Sequence, residues 1–461
     1  MSEPRTTDTA APGLGSRTVD AAASGALRRE LGLWDLVLFN IAAVAGVRWL
    51  AAAAHAGPGS ITLWVLAVLF FFVPSALVVS SLSRRFPQEG GLYVWSREAF
   101  GDWHGFLCAW YYVISNIIYF PTLVLAGVSM AAYMFGAGEI AETRRYAIPV
   151  TFAVLWAVFL ANFFGLKIVK WAGNLGGGST WVIGVLLVGF AVPVLLKFGS
   201  ATRFHIAPVV SWDSVNFWSQ IAFAFVGLEV GAILGGEIRN PGRAVPRAAA
   251  ISGAICTAFY IAGTSALLVL MRPEHVSVMT GLTQAGQITG QRLGVWWLGP
   301  VFATLVTVGT IGQLDSYVAG NTRLPFAVGL DRYMPPAFAR LHPLWGTPHV
   351  SIVTQAVLCS LLLFAMEYGE TLRGAYQTLV DMCVITTFVP FLYLFAAGVR
   401  FGRGIAGVLG FGVSALAIVV SLAPPPDVPA VWRFELKVTA GLVVTGLLGR
   451  VIFVRSRARW G

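Results

Sequence analysis

A helix must supply about 20 consecutive apolar residues to cross roughly 30 Å of hydrocarbon, and only structures that close their backbone hydrogen bonds internally survive there. This sequence contains twelve runs of that kind. They extend from Leu33 to Ala54, Ile61 to Ser83, Trp103 to Phe135, Tyr146 to Gly165, Ser179 to Leu196, Ser214 to Leu234, Arg247 to Met271, Trp296 to Thr322, Pro348 to Met366, Gly374 to Gly398, Ile405 to Leu422 and Trp432 to Gly449. The pattern predicts an all-α membrane protein with twelve transmembrane helices. A soluble chain of 461 residues would divide into several domains, but 57% hydrophobic residues against 11% charged ones exclude that class.

Orientation follows from the basic residues, because Lys and Arg near a span are retained on the cytoplasmic side. With the amino terminus inside, 21 of the 31 Lys and Arg fall in inner segments, nine in outer ones, and Arg48 within a span. Both termini are therefore expected on the cytoplasmic face of the cell membrane. The net charge of +10 is spread over short loops rather than gathered on one face, so it calls for no nucleic acid. Cys108, Cys256, Cys359 and Cys383 lie in apolar runs without paired spacing, and the six histidines form no pair at metal-ligand spacing. Packing and interfacial roles are expected for them, with no metal and no cofactor.

Two runs carry matching interruptions. VAGVRW, from Val44 to Trp49, and FVGLEV, from Phe225 to Val230, each place a glycine in mid-membrane with a charge two residues later: Gly46 with Arg48, and Gly227 with Glu229. The segments fall in the first and sixth spans, so helices one to five and six to ten would form two inverted repeats whose first helices are broken. Glycine lowers the cost of unwinding, freed amides offer a positive helix end to a carboxylate, and freed carbonyls accept from an ammonium group. An α-amino acid carries both. A lone glycine in a membrane helix is ordinarily a packing residue. The charges tip the balance, since an ionised side chain in hydrocarbon costs at least about 2.5 to 3.5 kcal/mol and so faces a partner or water.

Three stretches resemble the amino acid-polyamine-organocation superfamily of permeases. FPQEGGLYVW, from Phe86 to Trp95, with Phe100 and Gly101 after it, is similar to that family's first cytoplasmic loop. FAFVGLE, from Phe223 to Glu229, continuing to EIRNPGRAVPR from Glu237 to Arg247, resembles its broken sixth helix and the loop beneath. YVAGNTR, from Tyr317 to Arg323, leads through Met334 and Pro335 to Gly346, Thr347 and Pro348 in family-like order. The resemblance implies the fold typified by the LeuT transporter, a 5+5 inverted repeat with two peripheral helices, and alternating access. On that reading residues 1–29 are a disordered cytoplasmic tail, 30–400 the transporter core, and 401–461 helices eleven and twelve with the cytoplasmic carboxyl terminus.

By position, the resemblance makes Phe223 the aromatic that closes over substrate, Glu229 a gating or coupling acid, and Gly46 and Gly227 the unwound segments. It places Thr180 where several sodium-independent relatives hold a lysine. The sequence departs from the family in the first helix, where Val47, Arg48 and Trp49 replace a run of small residues. Three roles are open for Arg48: an ion pair with Glu229, a substitute for that missing cation, or recognition of an acidic substrate group by the guanidinium fork. Glu229 is a candidate proton carrier or a permanent salt-bridge partner. Asp315 and Asp381 are further acids in apolar surroundings, either of them a possible partner for Arg48. Tyr112, Ser115, Asn116 and Tyr119 fall at helical spacing along the third span, suited to substrate contact or to interhelical hydrogen bonds. The outer segment from Val276 to Arg292 is either a short helix capping a vestibule or an inert loop.

The function expected is a secondary active carrier of amino acids, proton-coupled or exchanging, that binds a small zwitterion between helices one, three, six and eight. The substrate-contact candidates are Val44, Ala45, Gly46, Val47, Arg48, Ser115, Asn116, Tyr119, Phe223, Phe225, Val226 and Gly227. The coupling or gating candidates are Arg48, Thr180, Phe223, Glu229 and Asp315. The alternative within the superfamily is a permease for polyamines or other organic cations or anions. A channel is disfavoured by the lack of a filter sequence, an enzyme by the lack of a nucleophile and base pair or metal constellation, and direct ATP drive by the lack of a phosphate-binding loop. Small-molecule substrate and lipid bilayer are the partners expected, and a homodimer is left open.

Overall fold

The computed structural model describes residues 31–86, 90–205, 207, 212–234, 238–365, 372–422 and 431–460, and helix fills most of each apolar run within them. The first run is divided into Leu33–Val44 (α1) and Arg48–His55 (α2). Ser60–Ala67 (α3) and Val73–Arg85 (α4) form the second, joined by the wider π turn Val68–Phe72. A short helix, Leu92–Phe100 (α5), precedes Asp102–Ala131 (α6), Arg144–Phe164 (α7) and Leu166–Phe198 (α8). The sixth run is divided into Trp212–Phe223 (α9) and Leu228–Ile233 (α10). Pro241–Leu270 (α11), Gly281–Leu293 (α12), Leu298–Leu330 (α13), His349–Ala365 (α14), Leu372–Arg400 (α15), Gly404–Ser421 (α16) and Val431–Trp460 (α17) complete the order. The tail expected over 1–29, and Pro87, Gln88, Glu89 and Glu237 of the quoted motifs, lie outside the described residues.

Among the described residues, eight helices are long and apolar enough to cross a bilayer, with Ser60–Arg85 counted as one, and the bent pair α1 and α2 makes a ninth. The other three runs are helical but differ in kind. The sixth is split by its break, α14 is 17 residues long, and α13 carries Gln313, Asp315, Asn321 and Arg323 along its length. The chain is thus a multi-pass membrane protein. Its perimeter agrees, since α7, α8, α16 and α17 leave large apolar side chains such as Leu160, Val185, Ile405 and Leu447 bare on their outer sides, where hydrocarbon is the compatible solvent. By contrast α6 is buried almost throughout.

Close helix contacts set the centre. A Cβ added to Gly176 on α8 would lie 2.5 Å from the backbone of Gly312 on α13, so these two helices meet main chain to main chain. Helix α13 also packs on α6 and α1, and α15 on α6 and α16. The broken helices cross in antiparallel fashion: α1 packs against α10, and α2 against α9. Their breaks therefore lie side by side.

The two breaks have different local causes. In the first, α1 and α2 diverge by 41° across Ala45, Gly46 and Val47. Gly46 keeps an ordinary negative φ, but a Cβ there would lie 2.6 Å from Cδ1 of Trp49. In the second, Gly227 adopts φ +131°, a conformation that L side chains rarely enter, and its Cα faces the backbone of Ala43 so closely that a Cβ would sit 3.2 Å away. One glycine is needed for packing, the other for backbone shape.

On the side that bears the amino-terminal segment, Leu31 and Ile238 form an isolated parallel bridge, with the Arg239 N–H donating to Leu31 O at 2.9 Å. The GGLYVW motif docks beside it. The Gly90 N–H donates to Ile233 O at 3.1 Å, at the end of α10, and α5 then carries Tyr93 and Arg97 to Asp331, just past the end of α13, where both donate to the carboxylate. Burial, and next the Asp331 charge, push the Tyr93 phenol well above its ordinary value. Burial opposes the charge on Arg97, but Tyr93 and Asp331 outweigh it and hold its pKa above the ordinary one. At the opposite end, the segment expected as a cap or a loop is a helix, α12, packed on α2, α8, α11 and α13.

Candidate functional site

Unwinding a helix in a low-dielectric interior frees carbonyls that must find donors. Here the donors are side chains of neighbouring helices. The hydroxyl of Tyr260 on α11 lies 2.5 Å from Val44 O and 2.9 Å from Ala224 O, and accepts the Gly46 N–H at 3.1 Å. One phenol thus ties the two breaks together. Gln313 Nε2 donates to Ala43 O at 2.8 Å, and the Tyr317 hydroxyl to Val226 O at 3.1 Å, both from α13. The free backbone cradle expected for a zwitterion is therefore occupied by the protein's own groups in this conformation.

Glu229 closes on itself. Its Oε1 accepts from the Tyr112 hydroxyl at 2.8 Å and its Oε2 from the Gly227 N–H at 3.0 Å, so the carboxylate caps the restart of the sixth run and anchors it to α6. The ion pair considered between Arg48 and Glu229 does not form. Arg48, 3% exposed, instead lies 4.2 Å from the Trp49 ring centroid and 4.7 Å from that of Tyr119, and its Nη1 donates to the Tyr376 hydroxyl at 3.4 Å. Its Nε and Nη2 have no hydrogen-bond partner. Among the described residues no carboxylate, Asp315 and Asp381 included, comes within ion-pair distance of it.

A small buried cavity of ≈ 10 Å³, room for about one water, lies between these groups, lined by Tyr112, Asn116, Tyr119, Phe223, Val226, Tyr317, Cys383 and Thr387. Every lining residue is buried. The walls come from α6, from the end of α9 and the break beyond it, from α13 and from α15. Of the substrate-contact candidates, Asn116, Tyr119, Phe223 and Val226 face this space. Phe223 meets Tyr119 and Trp49 edge-on, with ring centroids 5.7 and 5.4 Å apart, which shuts the cavity on that side. Asn116 Nδ2 and Ser115 Oγ both donate to Tyr112 O at 2.8 Å, the ordinary back-bonding of polar residues in a helix.

Other candidates lie elsewhere. Phe225 turns toward Trp64, Phe72 and Tyr260, away from the cavity lining. Val44, Ala45 and Val47 are buried in the first break and contribute backbone to it. Thr180 bonds back to Gly176 O at 3.0 Å and faces Gly309 of α13. Asp315 accepts from Asn162 of α7 at 2.8 Å, and its Oδ2 has no hydrogen-bond partner. Sequence reasoning did not single out Tyr260, Gln313, Tyr376 or Thr387, and it took Cys383 for a packing residue. The available signal was a lone phenol or amide inside an apolar helix, which needs a partner when buried.

Residues 31–444 match the family model described as amino acid permease. The chain is 26% identical to an uncharacterised transporter of Legionella pneumophila over 90% of its own length and 95% of that protein's. It is 27% identical to the serine/threonine exchanger SteT of Bacillus subtilis, over 73% of this chain and 77% of that one. It is 24% identical to the glutamate/serine transporter AimA of the same organism, over 79% and 70% respectively.

Proposed function

The chain belongs to the amino acid permease family, and from that premise we propose that it is a secondary active carrier that moves amino acids across the cytoplasmic membrane by alternating access. The family and the named relatives are transporters, and two of them are named for exchange of serine and threonine and for transport of glutamate and serine. Carried to this chain, they favour amino acids such as serine and glutamate, moved by exchange as in SteT.

The observation that carries the reading is the small buried cavity beside the second helix break, which itself lies against the first. In this reading the twelve runs are twelve spans, the first ten forming two inverted repeats and α16 and α17 the peripheral pair. Residues 30–400 are then the transporting core, and both termini are cytoplasmic. The antiparallel pairing of α1 with α10 and α2 with α9 supports the repeat. In this reading the conformation is an occluded one: Phe223 closes one side, and Tyr260, Gln313 and Tyr317 hold the broken backbone. Substrate entry widens the cavity and competes for some of those hydrogen bonds. Glu229 and Asp315 are the candidate coupling acids, and Thr180, a further coupling candidate, bonds back to Gly176 O where α8 meets α13.

Counterflow in proteoliposomes tests the proposal. Internal serine or glutamate should drive uptake of the labelled compound, saturably and without ATP. Non-saturating flux that ignores the internal solute would remove the carrier reading.

A further inference from the structure

Among the described residues at this site, Arg48 is a charged group whose chemistry the protein leaves unfinished, and that deepens the carrier reading on which this inference rests. A guanidinium has two flat faces and a rim of in-plane donors. Trp49 and Tyr119 lie within cation–π distance of it, and Tyr376 takes one rim donor, from Nη1. The adjacent pair Nε and Nη2 has no hydrogen-bond partner although the residue is 97% buried. Those two nitrogens present parallel N–H groups, the edge that a carboxylate chelates with two hydrogen bonds. Tyr119, the ring on which the guanidinium packs, lines the cavity, so Arg48 stands directly behind one of the cavity's walls.

We propose that Arg48 is the carboxylate receptor of this carrier, so that its substrates are small carboxylates, amino acids among them, and not diamines or other organic cations. An unpaired buried charge destabilises the empty protein, and a ligand supplying the counter-charge recovers that loss in the bound state alone. A cationic substrate would add a second positive charge next to the first. The Gly46 N–H, the backbone donor of the first break that would otherwise take a carboxylate, points the same way, since it is already held by Tyr260.

The experiment compares wild type, Arg48→Lys and Arg48→Met, reconstituted and assayed by counterflow with L-glutamate, L-serine and putrescine, alongside melting of the purified proteins in detergent. Wild type should exchange at least one of the two carboxylates and not putrescine. Arg48→Met should lower that exchange by at least about 30-fold, and Arg48→Lys, which keeps charge but not the fork, by less. Without substrate, Arg48→Met should melt at or above the wild-type temperature, and glutamate or serine should raise the melting temperature of wild type but not of Arg48→Met. Putrescine exchanging as well as the carboxylates, carboxylate exchange by Arg48→Met within about twofold of wild type, or Arg48→Met melting well below wild type would each overturn the assignment and leave the carrier reading standing. No exchange of any of the three by wild type would overturn the carrier reading, and this assignment with it.

Discussion

The Tyr112 hydroxyl lies 2.8 Å from Oε1 of Glu229, fastening the restart of the broken sixth run to α6, the most buried of the eight membrane-length helices among the described residues. The contact fixes the second half of one hinge while the first half, ending at Phe223, faces the cavity. It also leaves one acid fully engaged and another, Asp315, with a single donor.

Tyr112→Phe removes one of the two donors to that carboxylate. Hydrogen bonds to charged groups contribute about 1.5–3 kcal/mol, so a clear fall in melting temperature is expected in detergent. An unchanged melting curve would show that the bond contributes little.

Coupling separates the two acids. If Glu229 carries the transported proton, Glu229→Gln should retain amino acid exchange and lose accumulation driven by a pH gradient. Asp315→Asn should then keep both. The reverse pattern would move the coupling role to α13.

Tyr260→Phe takes the shared donor from two carbonyls and the acceptor from the Gly46 N–H at once. Hydrogen exchange of the segments around 44–46 and 224–226 should rise together, by about tenfold or more, which corresponds to about 1.4 kcal/mol or more of local stability. Faster exchange in one segment alone would contradict a bridging role.

The two glycines should fail differently. Gly46→Ala collides with the Trp49 indole, so Gly46→Ala combined with Trp49→Phe should regain part of the lost exchange activity. Gly227→Ala is strained by its own φ, and removing the nearby hydroxyl in Tyr317→Phe should rescue nothing. Equal rescue of both would refute the distinction.

On the inner face proposed for α5, Asp331→Asn weakens the bonds from Arg97 and Tyr93. Cysteines introduced near the ends of α10 and α13 should then label faster from the amino-terminal side. Because the Tyr93 phenol is held above its ordinary value of 10.0, its contribution is complete below about pH 10 and is lost as pH rises beyond that. Labelling that already accelerates between pH 6 and 8 would contradict this.

Much of this architecture was legible from hydrophobic run length, which needs no tertiary information. The breaks were legible too, because glycine beside an intramembrane charge is uncommon enough to mark them. Partner choice was not legible. Arg48 and Glu229 occupy matching places in the sequence, yet the guanidinium turns to aromatic rings and the carboxylate to a phenol and its own helix. Periodicity gives the face of a residue, not which of several neighbours reaches it first. Phe225 shows a different limit: residues two apart on a helix point to nearly opposite sides, and Phe225 does turn away from the cavity that Phe223 faces, so helical spacing alone separates the two.

Since one phenol on α11 serves both unwound segments, the two hinges share a pin. Neither can swing far without releasing an oxygen that the other also uses. If the proposed carrier rocks between states, that shared hydroxyl should make the two segments move together.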